Sequence, residues 1–133
     1  SWGRANVKAG DNIVVTRMDH HANFVPWQQL AKAAGAEFRI VELDAAGGVD
    51  LAMMARLVDA RTKVLAFGQV SNALGTINPV AEFVKIARAQ APQALVVCDG
   101  AQGVPHLRVD VDALGVDAYA FSGHKIGGPM GSG

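Results

Sequence analysis

Leu95-Val96-Val97-Cys98-Asp99-Gly100-Ala101-Gln102 is an apolar run with a β-branched centre that stops abruptly at a carboxylate and a glycine. Four consecutive apolar residues with no polar alternation describe a strand buried on both faces. Such strands belong to parallel sheets covered by helices on each side. The flanks repeat the theme. Asn78 or Pro79 opens a helix to about Ala91, with Val80, Phe83, Val84 and Ala87 on one face. Val64 to Phe67 is a strand before it, and Ala118 to Phe121 is a strand after a short helix around Val111–Leu114. Further upstream lie a strand Ile13–Thr16, a helix Ala22–Ala34 stopped by Gly35, a strand Phe38–Leu43 and a helix capped by Asp50 with Leu51, Met54, Leu57 and Val58. Pro26 falls near the first turn of its helix, where proline is tolerated. Five apolar strands alternating with helices predict an α/β domain, a three-layer α/β/α arrangement around a mostly parallel sheet.

The 133 residues suffice for one domain and one core. Half of them are hydrophobic, 18% are charged and the formal charge is zero, which excludes a disordered chain and argues against nucleic acid as a partner. No apolar run is long enough to span a membrane, and no signal peptide is visible. The single cysteine, Cys98, allows no internal disulfide and fits a reducing, cytoplasmic compartment. Both ends read as cut: Ser1 to Gly10 resembles the tail of a helix and a turn, and Gly127 to Gly133 is loop composition. The expectation is a piece of a longer protein.

Ligands of open α/β sheets bind beyond the carboxyl ends of the strands. Polar residues gather there: Asp19-His20-His21-Ala22-Asn23 after the first strand, Gln69 to Thr76 after the third, Asp99 to Gln102 after the fourth and Ser122-Gly123-His124-Lys125 after the fifth. A carboxylate closing an apolar strand is costly unless paired. A primary amine in an apolar pocket or beside another cation becomes a usable nucleophile and base. An aspartate on a pyridinium nitrogen and a lysine on an aldehyde carbon form the recurring pyridoxal-phosphate (PLP) pairing. Taken singly, Asp99 reads more readily as a turn or cap residue and Lys125 as a solvated side chain, and His20-His21 read also as helix-start residues. Cys98 reads as a small buried apolar residue. His106, in a loop with Pro105, has no assigned role. No His/Cys cluster has metal-ligand spacing, and Gly127–Gly133 lacks the Lys-Ser/Thr of a phosphate loop.

Together, Asp99-Gly100-Ala101-Gln102, Ser122-Gly123-His124-Lys125 and the following Gly-Pro loop resemble the class V aminotransferase family of fold-type I PLP enzymes. Asp19 to Trp27 and Ser71-Asn72-Ala73-Leu74-Gly75-Thr76 are similar to its cysteine desulfurase subgroup, of the SufS and CsdA type. The resemblance covers nearly the whole chain. It implies that residues 1–133 are the central part of a large PLP-binding domain, with strands in the order 2-1-3-4-5. It implies Lys125 as the Schiff-base lysine, Asp99 on the pyridine nitrogen, Gln102 on the phenolic oxygen and His20 stacked on the ring with a possible acid–base role. Ser122 and His124 then bind phosphate, and Asn72 lies near ring and substrate. The family's usual glutamate before the histidine pair is Asp19 here, a departure with no expected catalytic consequence.

The implied activity is removal of sulfur from L-cysteine to give L-alanine and an enzyme persulfide for iron–sulfur cluster assembly, by a homodimer that hands sulfur to an acceptor protein. Selenocysteine lyase and other class V activities are the alternatives. A non-catalytic α/β fragment is the alternative of another kind. The persulfide cysteine, the substrate-carboxylate arginine, an upstream phosphate loop and a small C-terminal domain all fall outside this chain by the same resemblance.

Overall fold

The computed structural model describes residues 2–133. Its elements run α1 (Trp2–Asn6), β1 (Asn12–Thr16), α2 (His21–Ala34), β2 (Glu37–Val41), α3 (Leu51–Leu57), β3 (Thr62–Gly68), α4 (Val80–Gln90), β4 (Leu95–Asp99), α5 (Gly103–His106), α6 (Val111–Leu114), β5 (Ala118–Ala120) and a 3₁₀ turn (Gly123–Ile126). The five strands form one sheet in the order β2-β1-β3-β4-β5, with every pairing parallel. That is the expected order and direction.

Each strand sends alternate residues to opposite layers. Val14, Leu65, Phe67, Val96 and Cys98 face α3 and α4, where Met54, Val58, Phe83 and Ala87 complete one core. Ile13, Val15, Val64 and Ala66 face α2, where Ala31, Phe24, Trp27 and Leu30 complete the other. Phe67 and Phe83 meet edge-to-face at 4.9 Å between ring centres. All five β1 residues are buried, which is why that strand carries no polar alternation.

Several boundaries differ from the sequence reading. The helix α2 starts at His21, so Pro26 lies in its second turn rather than its first. β2 ends at Val41; Leu43 instead bridges antiparallel to Val49 across a turn. β4 keeps Asp99 as its last paired residue, opposite Gly68 on one side and Ala120 on the other. Gly103–His106 is a short helix where a loop was expected, because Val104 and Leu107 N–H groups reach back to the Gly100 and Gly103 carbonyls. At the chain start, Trp2–Asn6 forms the expected helix tail, while Ser1 lies outside the described residues.

The edge where strands begin is held by ions. Arg39, with a side chain only 11% exposed, donates to Asp59, Glu37 and the Leu57 carbonyl at 2.8, 2.7 and 2.6 Å. Burial opposes the Asp59 charge, but Arg39, the Arg61 N–H and Asn12 outweigh it and hold this carboxyl at about 2. A carboxyl held below its unfolded value of about 3.9 contributes stability that is present above that value and lost as pH falls through the folded one. Asp59→Asn is therefore expected to lower the thermal midpoint at neutral pH and to flatten the fall in midpoint between about pH 4 and pH 2. Unfolding scans across that range check it.

A second constraint lies at the opposite edge. A Cβ at Gly100 would sit 1.9 Å from the Tyr119 ring, and one at Gly103 would sit 1.9 Å from the Gln69 side-chain oxygen. The Tyr119 hydroxyl donates to that same oxygen at 2.5 Å. Gly100→Ala is expected to push Tyr119 out of this bond and cost about 1–3 kcal/mol by overpacking. Denaturant titration of the two proteins measures it.

Candidate active site

The sheet's parallel strands release Thr16, Gly68, Asp99 and Ala120 along one edge. The chain leaves β1 towards β2 on one side and β3 lies on the other, so a crevice opens at that switch point. A cleft of about 250 Å³ fills it. Of the seven residues the sequence nominates, His20, Asn72, Asp99, Gln102, Ser122 and Lys125 line this one cleft. His124 does not; it lies exposed on the 3₁₀ turn.

Asp99 ends β4 with one carboxylate oxygen accepting the Ala101 N–H at 2.9 Å. Gln102 follows at the start of α5. The Tyr119–Gln69 bond and the two glycines lie behind this turn, so α5 can sit close against β3 and β5. Lys125 is carried by the turn Gly123–Ile126, closed by its own N–H on the Ser122 carbonyl at 3.1 Å. Gly127 follows in a left-handed conformation (φ 85°), and Gly123 packs so near Ser132 that a Cβ would approach its Oγ to 2.2 Å. Neither Asp99 nor Lys125 joins an ion pair among the described residues. An acid and an amine thus face one crevice without neutralising partners of their own.

His20 caps α2, its Nδ1 accepting the Ala22 N–H at 3.2 Å. Asn72 lies on an exposed loop tied by Ser71, whose N–H bonds Thr76 and whose Oγ accepts the Leu74 N–H at 3.1 Å. Two wall residues, Asp19 and Asn78, and two supporting residues behind the turn were given no role by the sequence reading. Asp19 is largely buried, and burial pushes its carboxyl up to about 6 against the opposing bonds from Thr16, Asn23 and Gly68. Asn78 donates to the Gly68 carbonyl at 2.7 Å while its own Oδ1 is buried without a donor. Gln69 and Tyr119 support the turn from behind. The Asp19 signal was visible as a departure from the family's glutamate; the other three carry no local motif.

Cys98 is fully buried on β4. Burial, with the Asp99 and Asp19 charges, pushes its thiol up to about 12. It remains a thiol at neutral pH and packs as an apolar residue. Among the described residues no three His, Cys, Asp or Glu side chains gather as metal ligands, and no helix is long and apolar enough to cross a membrane.

The whole chain, residues 1–133, matches the family model for class V aminotransferases. A cysteine desulfurase of Enterobacter sp. (strain 638) is 53% identical over all 133 residues, which span 32% of that relative. The cysteine desulfurase CsdA of Escherichia coli superposes with a TM-score of 0.91 at 38% identity, over 98% of this chain and 32% of that one. The protein C-DES, solved as a lysine-to-alanine mutant with glycine covalently linked to PLP, superposes with a TM-score of 0.78 at 27% identity, over 89% of this chain and 32% of that one. This chain therefore spans about a third of the length of the relatives it matches. With its sheet order, its crevice and its full-length match in agreement, the chain belongs to the class V aminotransferase family.

Proposed function

We propose that this chain is the PLP-binding part of a cysteine desulfurase, which takes sulfur from L-cysteine and leaves L-alanine and an enzyme-bound persulfide. The observation that carries the reading is the pair of unneutralised groups, Asp99 and Lys125, lining one cleft with His20, Asn72, Gln102 and Ser122. The residues fit the cofactor's chemistry. The cleft offers a carboxylate for a protonated ring nitrogen, an amine for an aldehyde, an amide for a phenolic oxygen and an imidazole for a ring face. The relative bound to PLP supports the same choice.

PLP, when bound, supplies an electron-accepting ring that weakens the bonds at the substrate's α-carbon. The protein's part follows from its own groups. Asp99 would hold a proton on the ring nitrogen, its carboxylate direction fixed by the tie to Ala101. Lys125 would hold the aldehyde carbon and supply an amine for proton movement. Gln102 would donate to the phenolic oxygen, His20 would cover the ring, and Asn72 would border ring and substrate. Ser122 is assigned to phosphate together with His124, which is exposed and does not line the cleft.

The sulfur-accepting thiolate must come from elsewhere in the whole protein, because Cys98 is buried and its thiol holds its proton to about 12. A homodimer and a sulfur-acceptor protein belong to the same reading, as does a cytoplasmic setting.

The test uses the whole protein that carries this segment. With PLP it is expected to show the visible band of a lysine-bound pyridoxal and to release alanine from L-cysteine. Lys125→Ala should lose that band and at least about a hundred-fold of the turnover. A band that survives the substitution, or turnover with no dependence on PLP, refutes the assignment. The isolated 133-residue segment is expected to show no turnover.

A further inference from the structure

One carboxylate in the cleft wall has no part in the reading above. Asp19 links three elements. One of its oxygens accepts both the Thr16 N–H and the Thr16 hydroxyl, each at 2.8 Å, at the end of β1. The other accepts the side-chain amide of Asn23 on α2 at 3.3 Å. The Gly68 backbone N–H, at the end of β3, also stabilises its charge. Asn78 donates to the carbonyl of the same residue, on the neighbouring peptide group, at 2.7 Å. Beyond Asn23 the chain of bonds continues, since the Asn23 oxygen accepts Trp27 Nε1–H at 3.1 Å.

His20 is built into that corner. It directly follows Asp19, its carbonyl accepts the Asn23 N–H at 2.8 Å, and its ring accepts the Ala22 N–H. Every group hydrogen-bonded to the Asp19 carboxylate is a donor, so only a double acceptor satisfies the corner. We propose that Asp19 is a positioning residue whose carboxylate, clasped by Thr16, Asn23 and Gly68, fixes the His20 imidazole on the cleft wall against the ring of a bound cofactor. This rests on the PLP reading and adds a residue to it. The charged form makes the corner, and protonation turns one acceptor into a donor facing other donors. The ionisable groups around that carboxylate are His20 and His21 on its own segment, Cys98 and Asp99 on β4, and Lys125 beyond β5.

The experiment measures PLP affinity and the visible circular dichroism of the bound cofactor between pH 5 and 8, in the whole protein. The variants are Asp19→Asn, Asp19→Glu and Thr16→Val, each also in a His20→Ala background. Asp19→Asn is expected to weaken affinity about two- to ten-fold, the range of one lost ring–ring contact, and to change the dichroic band. It should also remove the inflection in affinity near pH 6. Asp19→Glu, which keeps both acceptors, should restore all three. Thr16→Val, which removes one donor without changing shape, should move the inflection to higher pH, and it serves if Asp19→Asn does not fold. With His20→Ala none of these effects should remain, because Asp19 acts through that ring. Equal affinity and dichroism in wild type and Asp19→Asn overturn the inference. So does a loss that persists undiminished beside His20→Ala. Failure of the wild type to bind PLP at all overturns the PLP reading and this inference with it, whereas binding that ignores Asp19 leaves the reading standing.

Discussion

Backbone pairing in a single direction is the constraint from which the rest follows. Parallel strands must all end along the same edge, and each must be reached by a crossover that packs on a sheet face. In this chain the crossovers α2, α3 and α4 cover both faces, so the interiors of the central strands β1, β3 and β4 are apolar, and Arg39 on the edge strand β2 is accommodated only through its ion pairs. Polar residues are then cheap in one place, where the strands stop and the backbone turns towards solvent. Register sharpens the effect. Gly68, Asp99 and Ala120 pair at one level, so residues widely separated in sequence reach the crevice together.

Among the described residues the ion pairs all lie outside the cleft, including Arg17 with Glu42 where β1 and β2 end. Where strands begin, charges are spent on one another: Arg39 with Asp59 and Glu37, and Arg88 with Asp117, whose second oxygen also takes the Val96 N–H at 2.7 Å. Where strands end at the cleft, Asp99 and Lys125 stand without such partners. Structural ion pairs lock geometry, whereas a site that must hold a charged ligand keeps its own charges available. Close packing does the locking there instead. Gly100, Gly103 and Gly123 admit Tyr119, Gln69 and Ser132 to distances that any side chain would forbid.

Much of this could be read from the residues. Strand cores such as Val64–Phe67 and Leu95–Cys98 announce themselves by unbroken apolar runs, and Asp50 by its position before a helical pattern, where its carboxylate indeed accepts the Met53 N–H at 2.8 Å. The four residues of α5 did not, since a helix of one turn containing Pro105 has too little periodicity to register. Six of the seven nominated site residues reach one cleft because each sits within a few positions of a strand end, which is a local property. Tyr119 and Gln69 escaped because their bond spans 50 positions, and neither has a neighbour in sequence that predicts the other. Asp19 was seen and set aside, because its donors on Thr16, Asn23 and Gly68 become one cluster only when β1, α2 and β3 are assembled.

The sequence by itself determined the alternation of strands and helices, the apolar interior and the polar strand ends, all of which depend on residues within one turn or one strand of each other. Which strand ends share a crevice, which acids keep a free charge, and which glycines are irreplaceable were decided only by the tertiary structure. The reason is physical: desolvation and close contact act between surfaces, and those surfaces exist only after distant parts of the chain have packed.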